Sequence, residues 1–476
     1  MLTRRRHRGL GGAASFYPVS IPYSCRFDSA RSCQLQRTPS VAGNRQKWTW
    51  SVWVKRTKVY TASTLLHAYT SASDYFYIYF DAGNNRLELG DNTGTTKTSS
   101  ASFFDPSSWL HVCIICDTTL ATAEDRLQAW VNGVRITAWG TNTLVPAQNA
   151  SLTVNSTAPH RIGGFTTGAY LSNDYFSDVY FIDGQALTPS SFGQASPGNP
   201  NVWVPKTPLG LTYGTNGFHL AFANAAALGT DTSGNGNTYT SSGLTTSDQF
   251  ADTPTNNYCT LSPIDTGPGT LSNGNLTMTV GSHTSTYYLS TSGKYSWKYT
   301  QTAAGNLGII NTAGTKTPVT GANNDVTELE LDLGAGTLNK RVNGGGSTSV
   351  ATGLAGTYSP YFEAPGTVQF NYTPADGTFK NICTANMPTP LPAIVTSGSF
   401  TGNVNADGPF IYTKGTPETL TINGNAVTWG THANKLANGF KLQTASTSYN
   451  STGTNTWTAT ATSDMRFPLN NAQGNP

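Results

Sequence analysis

The chain has 476 residues, of which only 11% are charged and 11% are aromatic, and its formal net charge is +3. Its 20 Phe, 22 Tyr and 10 Trp argue against a disordered chain. Four arginines near the start account for the positive charge, so the rest of the chain is nearly neutral, which excludes a nucleic-acid-binding body with Lys and Arg interleaved along a groove.

Residues 1–24 are predicted to form an arm. An arginine cluster is followed by an apolar segment with two prolines, residues 16–23. Ordering costs about 1–2 kcal/mol per residue, so such an arm becomes ordered only against a partner surface, acidic for the arginines and apolar for the segment after them. The residues expected to dock the protein into an assembly are Arg4, Arg5, Arg6, Arg8, Phe16 and Tyr17.

The chain shows neither a signal peptide nor a membrane span. The apolar stretch after the arginines is too short for a signal peptide, and the longest apolar runs have the length of strands. We therefore expect a soluble protein. Its six scattered cysteines are expected to be buried free thiols, because Cys113 and Cys116 point to opposite faces of one strand and no second pair completes a zinc site.

Residues 25–195 are predicted to form the first β-domain. Alternation in residues 48–54 places Trp48, Trp50, Val52 and Val54 on one face, which we expect to be core rather than a sugar-stacking platform. Residues 75–90 read as a hairpin. The core is also expected to contain Trp109, Trp130, Ile162 and Val179.

Four units in this region carry a family resemblance. Trp109-Leu-His begins a strand, and Val131-Asn-Gly forms a hairpin because both turn residues tolerate positive φ. Ile162-Gly-Gly and Ser177-Asp-Val, with Leu187-Thr at its exit, follow in order. The region resembles the laminin-G or concanavalin A-like family, which implies a jelly-roll sandwich used for binding glycans or proteins, although the family includes glycosidases. His111 is expected to be structural, and Asp178 to accept backbone hydrogen bonds.

Residues 196–257 are predicted to form a bridge rich in Gly, Asn and Pro, with one strand near residue 218. Within it, Asp231, Asn235 and Asn237 alternate with small residues and glycines, as the ligands of a calcium loop do. The same pattern is typical of a turn held by an Asx hydrogen bond, since Asp231 is the only carboxylate. Calcium is therefore one of two open interpretations, and no other cofactor is expected.

Residues 258–386 resemble the SPRY family through Gly293-Lys-Tyr-Ser-Trp and Leu329-Glu-Leu-Asp-Leu, which implies a second sandwich. Alternation places Glu328, Glu330 and Asp332 on one strand face, a pattern that invites a glycosidase interpretation. No second carboxylate cluster faces them, so we expect no catalytic residue and no enzymatic activity. Residues 387–476 are predicted to be a proline linker and a small β module.

The sequence thus predicts an all-β protein with tandem antiparallel sandwiches. The order of its pieces, closing with Asn438-Gly-Phe-Lys-Leu, resembles the LamG–SPRY virion proteins of tailed bacteriophages. That resemblance implies a tail-fibre or appendage protein of the virion that binds host-surface glycan or protein, with other virion proteins and copies of itself as partners. Two alternatives remain open: a capsid decoration or head-fibre protein, and a polysaccharide-degrading enzyme on the same scaffold. No residue is assigned to carbohydrate binding.

Overall fold

The computed structural model describes residues 16–387, apart from 167, 198, 265–270 and 290–292, and beyond them the backbone of eight strands between residues 397 and 466. The described residues form antiparallel strands and short 3₁₀ turns, and no α-helix occurs among them. The all-β prediction is confirmed. Across these described ranges, no helix is long and apolar enough to cross a membrane.

Strands β1–β18 lie between residues 24 and 250. Their bounds are β1 Ser24–Arg26, β2 Gln34–Arg37, β3 Lys47–Lys55, β4 Ser63–Ser71, β5 Asp74–Phe80, β6 Arg86–Asp91, β7 Thr96–Ser102, β8 Trp109–Asp117, β9 Leu127–Val131, β10 Val134–Arg135, β11 Trp139–Asn142, β12 His160–Ile162, β13 Tyr175–Asp183, β14 Gly193–Ala195, β15 Trp203–Pro205, β16 Phe218–Leu220, β17 Thr240–Ser242 and β18 Gln249–Phe250. Four 3₁₀ turns cover Ser29–Arg31, Ala123–Asp125, Pro189–Ser191 and Thr246–Asp248.

Two sheets pack face to face to form the first sandwich. Sheet A has the order β10-β9-β8-β3-β13-β1-β18, with β16 also pairing β13, and sheet B has the order β11-β7-β6-β5-β4-β12-β2-β17. The predicted Asn132-Gly133 turn joins β9 to β10, and both of its residues have positive φ. The core between the sheets contains the predicted Trp48, Trp50, Val52, Val54, Ile162 and Val179.

Sheet A is buried on both of its faces. Trp53 and Trp109, which alternate away from the core, pack with Tyr175 under Trp203 and Phe250. The prediction that Trp109 and Trp130 belong to the sandwich core is wrong, because Leu127, Ala129 and Val131 take the inward positions of β9 and Trp130 points outward. The predicted alternation of β3 is confirmed, and all six cysteines are free and buried.

The predicted bridge belongs to the first sandwich. Strand β16 pairs β13, β17 pairs β2 and β18 pairs β1, so residues after 195 extend both sheets. Leu228 and Tyr239 also enter the core. Strand β16 confirms the strand predicted near residue 218, whereas β17 and β18 are only three and two residues long, so a Gly- and Asn-rich sequence hides them.

The second sandwich contains strands β19–β29. Their bounds are β19 Leu271–Ser272, β20 Thr277–Met278, β21 His283–Thr284, β22 Lys294–Gln301, β23 Gly305–Asn311, β24 Lys316–Gly321, β25 Val326–Asp332, β26 Thr337–Val342, β27 Thr348–Ala351, β28 Tyr358–Phe362 and β29 Gly366–Gln369, followed by a 3₁₀ turn at Thr384–Asn386. Sheet C has the order β19-β20-β29-β22-β25-β26-β27 and sheet D the order β21-β28-β23-β24. A separate core that includes Trp297, Leu329 and Phe362 lies between them.

A buried lysine ties the two sandwiches together. Lys55, at the end of β3, places its Nζ 2.7 Å from Asp252 Oδ2, 2.7 Å from Asn257 Oδ1 and 2.6 Å from the carbonyl of Tyr258. Asp252 also accepts from the indole of Trp109 at 3.0 Å. Because this charge is fully buried and hydrogen-bonded, it fixes where the second sandwich begins.

The C-terminal module contains strands β30–β37. Their bounds are β30 Ser397–Thr401, β31 Phe410–Thr413, β32 Thr419–Ile422, β33 Asn425–Ala426, β34 Trp429–Thr431, β35 Gly439–Leu442, β36 Thr454–Thr460 and β37 Met465–Arg466. They form two four-stranded sheets, β30-β36-β32-β33 and β34-β35-β31-β37. Strand β32 pairs antiparallel with β33, and residues 423–424 between them lie outside the described residues.

Candidate functional site

The outer face of sheet B carries a row of half-buried tyrosines. Along β5, Phe76, Ile78 and Phe80 fill the core, so Tyr75, Tyr77 and Tyr79 point to the outside. Tyr69 from β4 lies opposite Tyr75. We call these rings, together with Phe165 and Tyr170 from the loop after β12, the tyrosine face.

The rings of the tyrosine face form a continuous surface. Ring centroids are 6.3 Å apart between Tyr69 and Tyr75, 6.2 Å between Tyr75 and Tyr77, and 5.1 Å between Tyr77 and Tyr79. The first two pairs are stacked and the third is edge-to-face. Phe165 lies 5.5 Å from Tyr77, and the exposed Tyr170 lies 5.7 Å from Tyr79. The row therefore runs along the strand direction with its rings half-buried, and Phe165 and Tyr170 pack against Tyr77 and Tyr79.

Glu88 on the neighbouring strand β6 fixes the ring orientations. Its Oε1 accepts from the hydroxyls of Tyr77 at 3.0 Å and Tyr79 at 3.2 Å, and its Oε2 accepts from Thr98 at 2.9 Å. Burial, with the charge of Glu88, raises the pKa of both tyrosines, so both hydroxyls stay protonated. Gly90 leaves room for the Tyr77 ring, because a Cβ atom on residue 90 would clash with that ring.

His67 supports the same face from β4. Its imidazole stacks on Phe165 at 4.1 Å, and its Nδ1 accepts the backbone N–H of Thr166 at 3.2 Å. Burial, together with the nearby Arg161 charge, lowers its pKa to about 4, so the ring is neutral at physiological pH. The loop carrying Phe165 is thereby held against the sheet.

A polar groove continues the outer face of sheet B beyond β12. It has a volume of about 620 Å³ and is lined by Gln34, Gln36, Thr240 and Ser242, with four further residues. Leu35 points into the core, so Gln34 and Gln36 point outward like the tyrosines. Aromatic surface and amide or hydroxyl groups thus lie on the same side of sheet B, an arrangement suited to a ligand with both apolar C–H surfaces and many hydroxyls.

Comparison with known proteins identifies the first sandwich. Residues 28–191, about a third of the chain, match the family model described as the concanavalin A-like lectin/glucanases superfamily. This part of the chain has a concanavalin A-like fold. None of the curated proteins compared with the chain matches it.

Several solved structures are similar to the chain at low scores. A heptameric SAP-like pentraxin from Limulus polyphemus is 20% identical over 36% of this chain and 80% of its own, with a TM-score of 0.27. A putative carbohydrate binding protein from Bacteroides ovatus is 14% identical over 36% and 46%, with a TM-score of 0.26. Domains LG4-5 of the mouse laminin alpha1 chain are 10% identical over 78% and 92%, with a TM-score of 0.28. Similarities of this size do not bear on function.

The predicted calcium loop is a hydrogen-bonded turn in this structure. Asp231 accepts from the backbone N–H groups of His219, Ser233 and Asn237 at 3.0, 2.8 and 2.7 Å. Asn235 donates to the carbonyl of Gly214, and Asn237 Oδ1 accepts from the guanidinium of Arg37. Donors, one of them cationic, therefore occupy the side-chain oxygens of Asp231 and Asn237, which is the Asx-turn alternative. No cluster of His, Cys, Asp and Glu suited to a metal occurs among the residues that the structure describes.

The predicted docking arm is described only in its apolar part, because Arg4, Arg5, Arg6 and Arg8 lie outside the described residues. The carbonyl of Phe16 accepts from Ser196 at 2.5 Å, and burial raises the pKa of Tyr17, whose hydroxyl bonds Thr384. Ile21 exchanges hydrogen bonds with Thr255. The described contacts of residues 16–23 are thus with the chain itself, and docking through Phe16 and Tyr17 stays a prediction. The docking role of the arginines stays a prediction.

The three carboxylates of β25 each pair with a cation on a neighbouring strand. Lys298 lies 3.7 Å from Glu328, Arg341 lies 2.6 Å from Glu330 and Lys294 lies 3.1 Å from Asp332. Glu328 also accepts from Tyr372 at 3.0 Å and from the N–H of Ala375 at 2.9 Å. These contacts form a cross-strand ion-pair ladder.

His111 is structural, as predicted. It is fully buried, shares a 2.8 Å hydrogen bond with Ser51, and accepts from the indole of Trp203 at 3.1 Å. Asp178 differs from its prediction. It has a positive φ of 53° at a bulge in β13, and its carboxylate bonds the imidazole of His219 at 2.6 Å rather than backbone N–H groups.

The tyrosine face was absent from the sequence interpretation. The alternating Tyr75, Tyr77 and Tyr79 are visible in the sequence, yet both faces of that strand are aromatic, so alternation does not tell which one is buried. Their open, ring-to-ring arrangement depends on Tyr69 and Phe165 from other parts of the chain. A run of tyrosines at every second position is the signal that points to it.

Proposed function

We propose that this protein binds glycan on a host cell surface through the tyrosine face, as a non-enzymatic structural protein of a tailed-phage virion. The tyrosine face carries the binding proposal, because it is a row of four half-buried rings on the outer face of a concanavalin A-like sandwich. The order of the sequence units supports the virion role, with other virion proteins and further copies of the chain as partners.

The chemistry of the face suits sugars. A pyranose ring presents a face of polarised C–H groups, which packs against the electron-rich face of an aromatic ring. The Tyr77 and Tyr79 hydroxyls donate to Glu88, so their oxygens remain as acceptors for ligand hydroxyls. Half-buried rings also lose little side-chain freedom on binding, because Glu88 and Gly90 already hold them.

Truncation of a central ring tests the proposal. Tyr77→Ala removes the ring with neighbours on both sides and is expected to weaken binding to host surface polysaccharide about tenfold, whereas Tyr77→Phe, which keeps the ring and loses only the hydroxyl, should weaken binding much less. Calorimetric titration measures both affinities.

The matched control is Tyr288→Ala, which truncates an exposed tyrosine outside the first sandwich. Its affinity should equal that of the wild type. Equal affinity of Tyr77→Ala and wild type contradicts the proposal, as does an equal loss in the control. Size-exclusion chromatography of the same polysaccharide after incubation is expected to show no shortening, and shortening would contradict the non-enzymatic role.

A further inference from the structure

Arg161 occupies the boundary between the tyrosine face and the polar groove. It lies on β12, where it is opposite His67 of β4 on one side and Gln36 of β2 on the other. His160 and Ile162, its neighbours in the strand, are buried, so Arg161 points to the open face. A ligand that spans both parts of the face must cross this side chain.

Among the residues that the structure describes, no carboxylate pairs with the guanidinium of Arg161. Its Nη1 donates to the hydroxyl of Thr166, and its buried Nε has no hydrogen-bond partner. The ion pairs of the described arginines do not include Arg161. By contrast, Arg86 on the same face is paired with Asp81 at 2.8 Å, and Arg126 donates to three backbone carbonyls. Arg161 is therefore a half-buried cation with unused donor capacity.

The charges around Arg161 leave this capacity available. Burial lowers the pKa of Arg161, yet a guanidinium remains charged at any physiological pH. His67 beside it is neutral, and Glu88 lies three strands away, about 15 Å at the usual strand spacing. Glu88 is moreover engaged by three hydroxyls. On the groove side, Gln34 Oε1 is a buried acceptor that also has no partner.

We infer that the glycan bound by this face is an extended acidic polysaccharide whose anionic substituent, a carboxylate or a phosphate, pairs with Arg161. The inference rests on the proposed function and adds the ligand's charge and length. The planar guanidinium offers paired N–H donors that match either anion. From β5 to β17 the face spans four strand spacings, about 19 Å, so several sugars of one chain lie across it.

Matched charged and neutral polymers test the inference. The probes are polygalacturonate with its carboxyl-reduced form, and phosphomannan with its phosphatase-treated form. Wild-type protein at low salt is expected to bind at least one acidic polymer about tenfold more tightly than its neutral counterpart, and the pair that shows this identifies the anion. Arg161→Gln should abolish the preference, and Arg161→Lys, which keeps the charge without the planar donors, should retain part of it.

Arg86→Gln is the matched control, because it removes the same charge from a paired arginine on the same face, and it should keep the full preference. Wild-type binding to neither acidic polymer overturns the inference, as does an undiminished preference in Arg161→Gln. Equal binding to charged and neutral forms that is lost in Tyr77→Ala overturns the inference alone and leaves the proposed function standing. Equal binding that survives Tyr77→Ala overturns both.

Discussion

Two buried histidines in the first sandwich are locked in the neutral form by their hydrogen bonds. His160 Nε2 accepts the backbone N–H of Asn155 at 2.9 Å, and His111 Nδ1 accepts the indole N–H of Trp203. Neither nitrogen can take a proton without losing its bond. Burial accordingly lowers the pKa of His111 to about 3 and that of His160 to about 4.

These histidines predict acid destabilisation. In the unfolded chain a histidine titrates near pH 6.5, so below that pH the unfolded state binds protons that the folded state refuses, and stability falls as the pH falls. From pH 6.5 to 5 the free energy of unfolding should drop by about 2 kcal/mol per histidine. Urea unfolding at the two pH values measures the drop. Imidazole NMR signals of His111 and His160 that titrate near pH 6.5 in the folded protein would contradict the mechanism.

At the scale of elements, strand β3 contributes both to the core of the first sandwich and to its junction with the second. Its inward side chains form the core, and its last residue, Lys55, carries the buried contacts to Asp252, Asn257 and Tyr258. The second sandwich is therefore fixed to a central strand of the first one.

Replacing Lys55 with Met should destabilise the protein strongly. The substitution preserves the buried stem but leaves Asp252 without its cation, and breaking a buried pair in this way costs about 3–5 kcal/mol. Lys47→Met at the other end of β3 is the control, because its partner Asp117 is paired through a lysine that is one-third exposed, and such pairs contribute about 0–1 kcal/mol. Chemical denaturation of both variants measures the difference. Equal losses would contradict a stabilising role of the junction.

The sequence predicts elements with strong local signals and misses those without them. The Asn132-Gly133 turn and the alternation of β3 depend on neighbouring residues alone, and both are confirmed. The strand predicted near residue 218 is confirmed as β16, whereas β17 and β18 depend on pairing with residues far away in the chain, so no local period marks them. The same reason hid the site, since His67, Tyr77, Glu88 and Arg161 come from four strands that meet only after folding.

At the scale of the whole molecule, the apolar part of the arm joins distant parts of the chain. Residues 16–23 contact Ser177, Ser196 and Thr255, and Tyr17 reaches Thr384 at the end of the second sandwich. These contacts leave Arg4, Arg5, Arg6 and Arg8 as the part of the arm to be tested for docking.

Changing all four of these arginines to Gln should lower incorporation of the protein into phage particles while leaving its melting temperature unchanged. The reason is that charge-assisted contacts of an arginine cluster would be lost, whereas the segment from residue 16 onward keeps its partners. Immunoblots of purified particles, washed at low and high salt, measure incorporation, and antibody labelling locates the protein on the particle. Wild-type incorporation of the variant would place the anchor elsewhere.

The covering of sheet A on both faces has a consequence for inheritance. A recombination event that joined two parents at residue 195 would separate β13 from β16, β2 from β17 and β1 from β18, and would expose Trp53 and Trp109 wherever the new covering segment fitted poorly. Chimeric proteins whose parental sequences join within residues 196–257 are expected to aggregate and therefore to be lost by selection. Viable recombinants are expected to inherit residues 24–257 from a single parent, and to recombine only at positions outside this range.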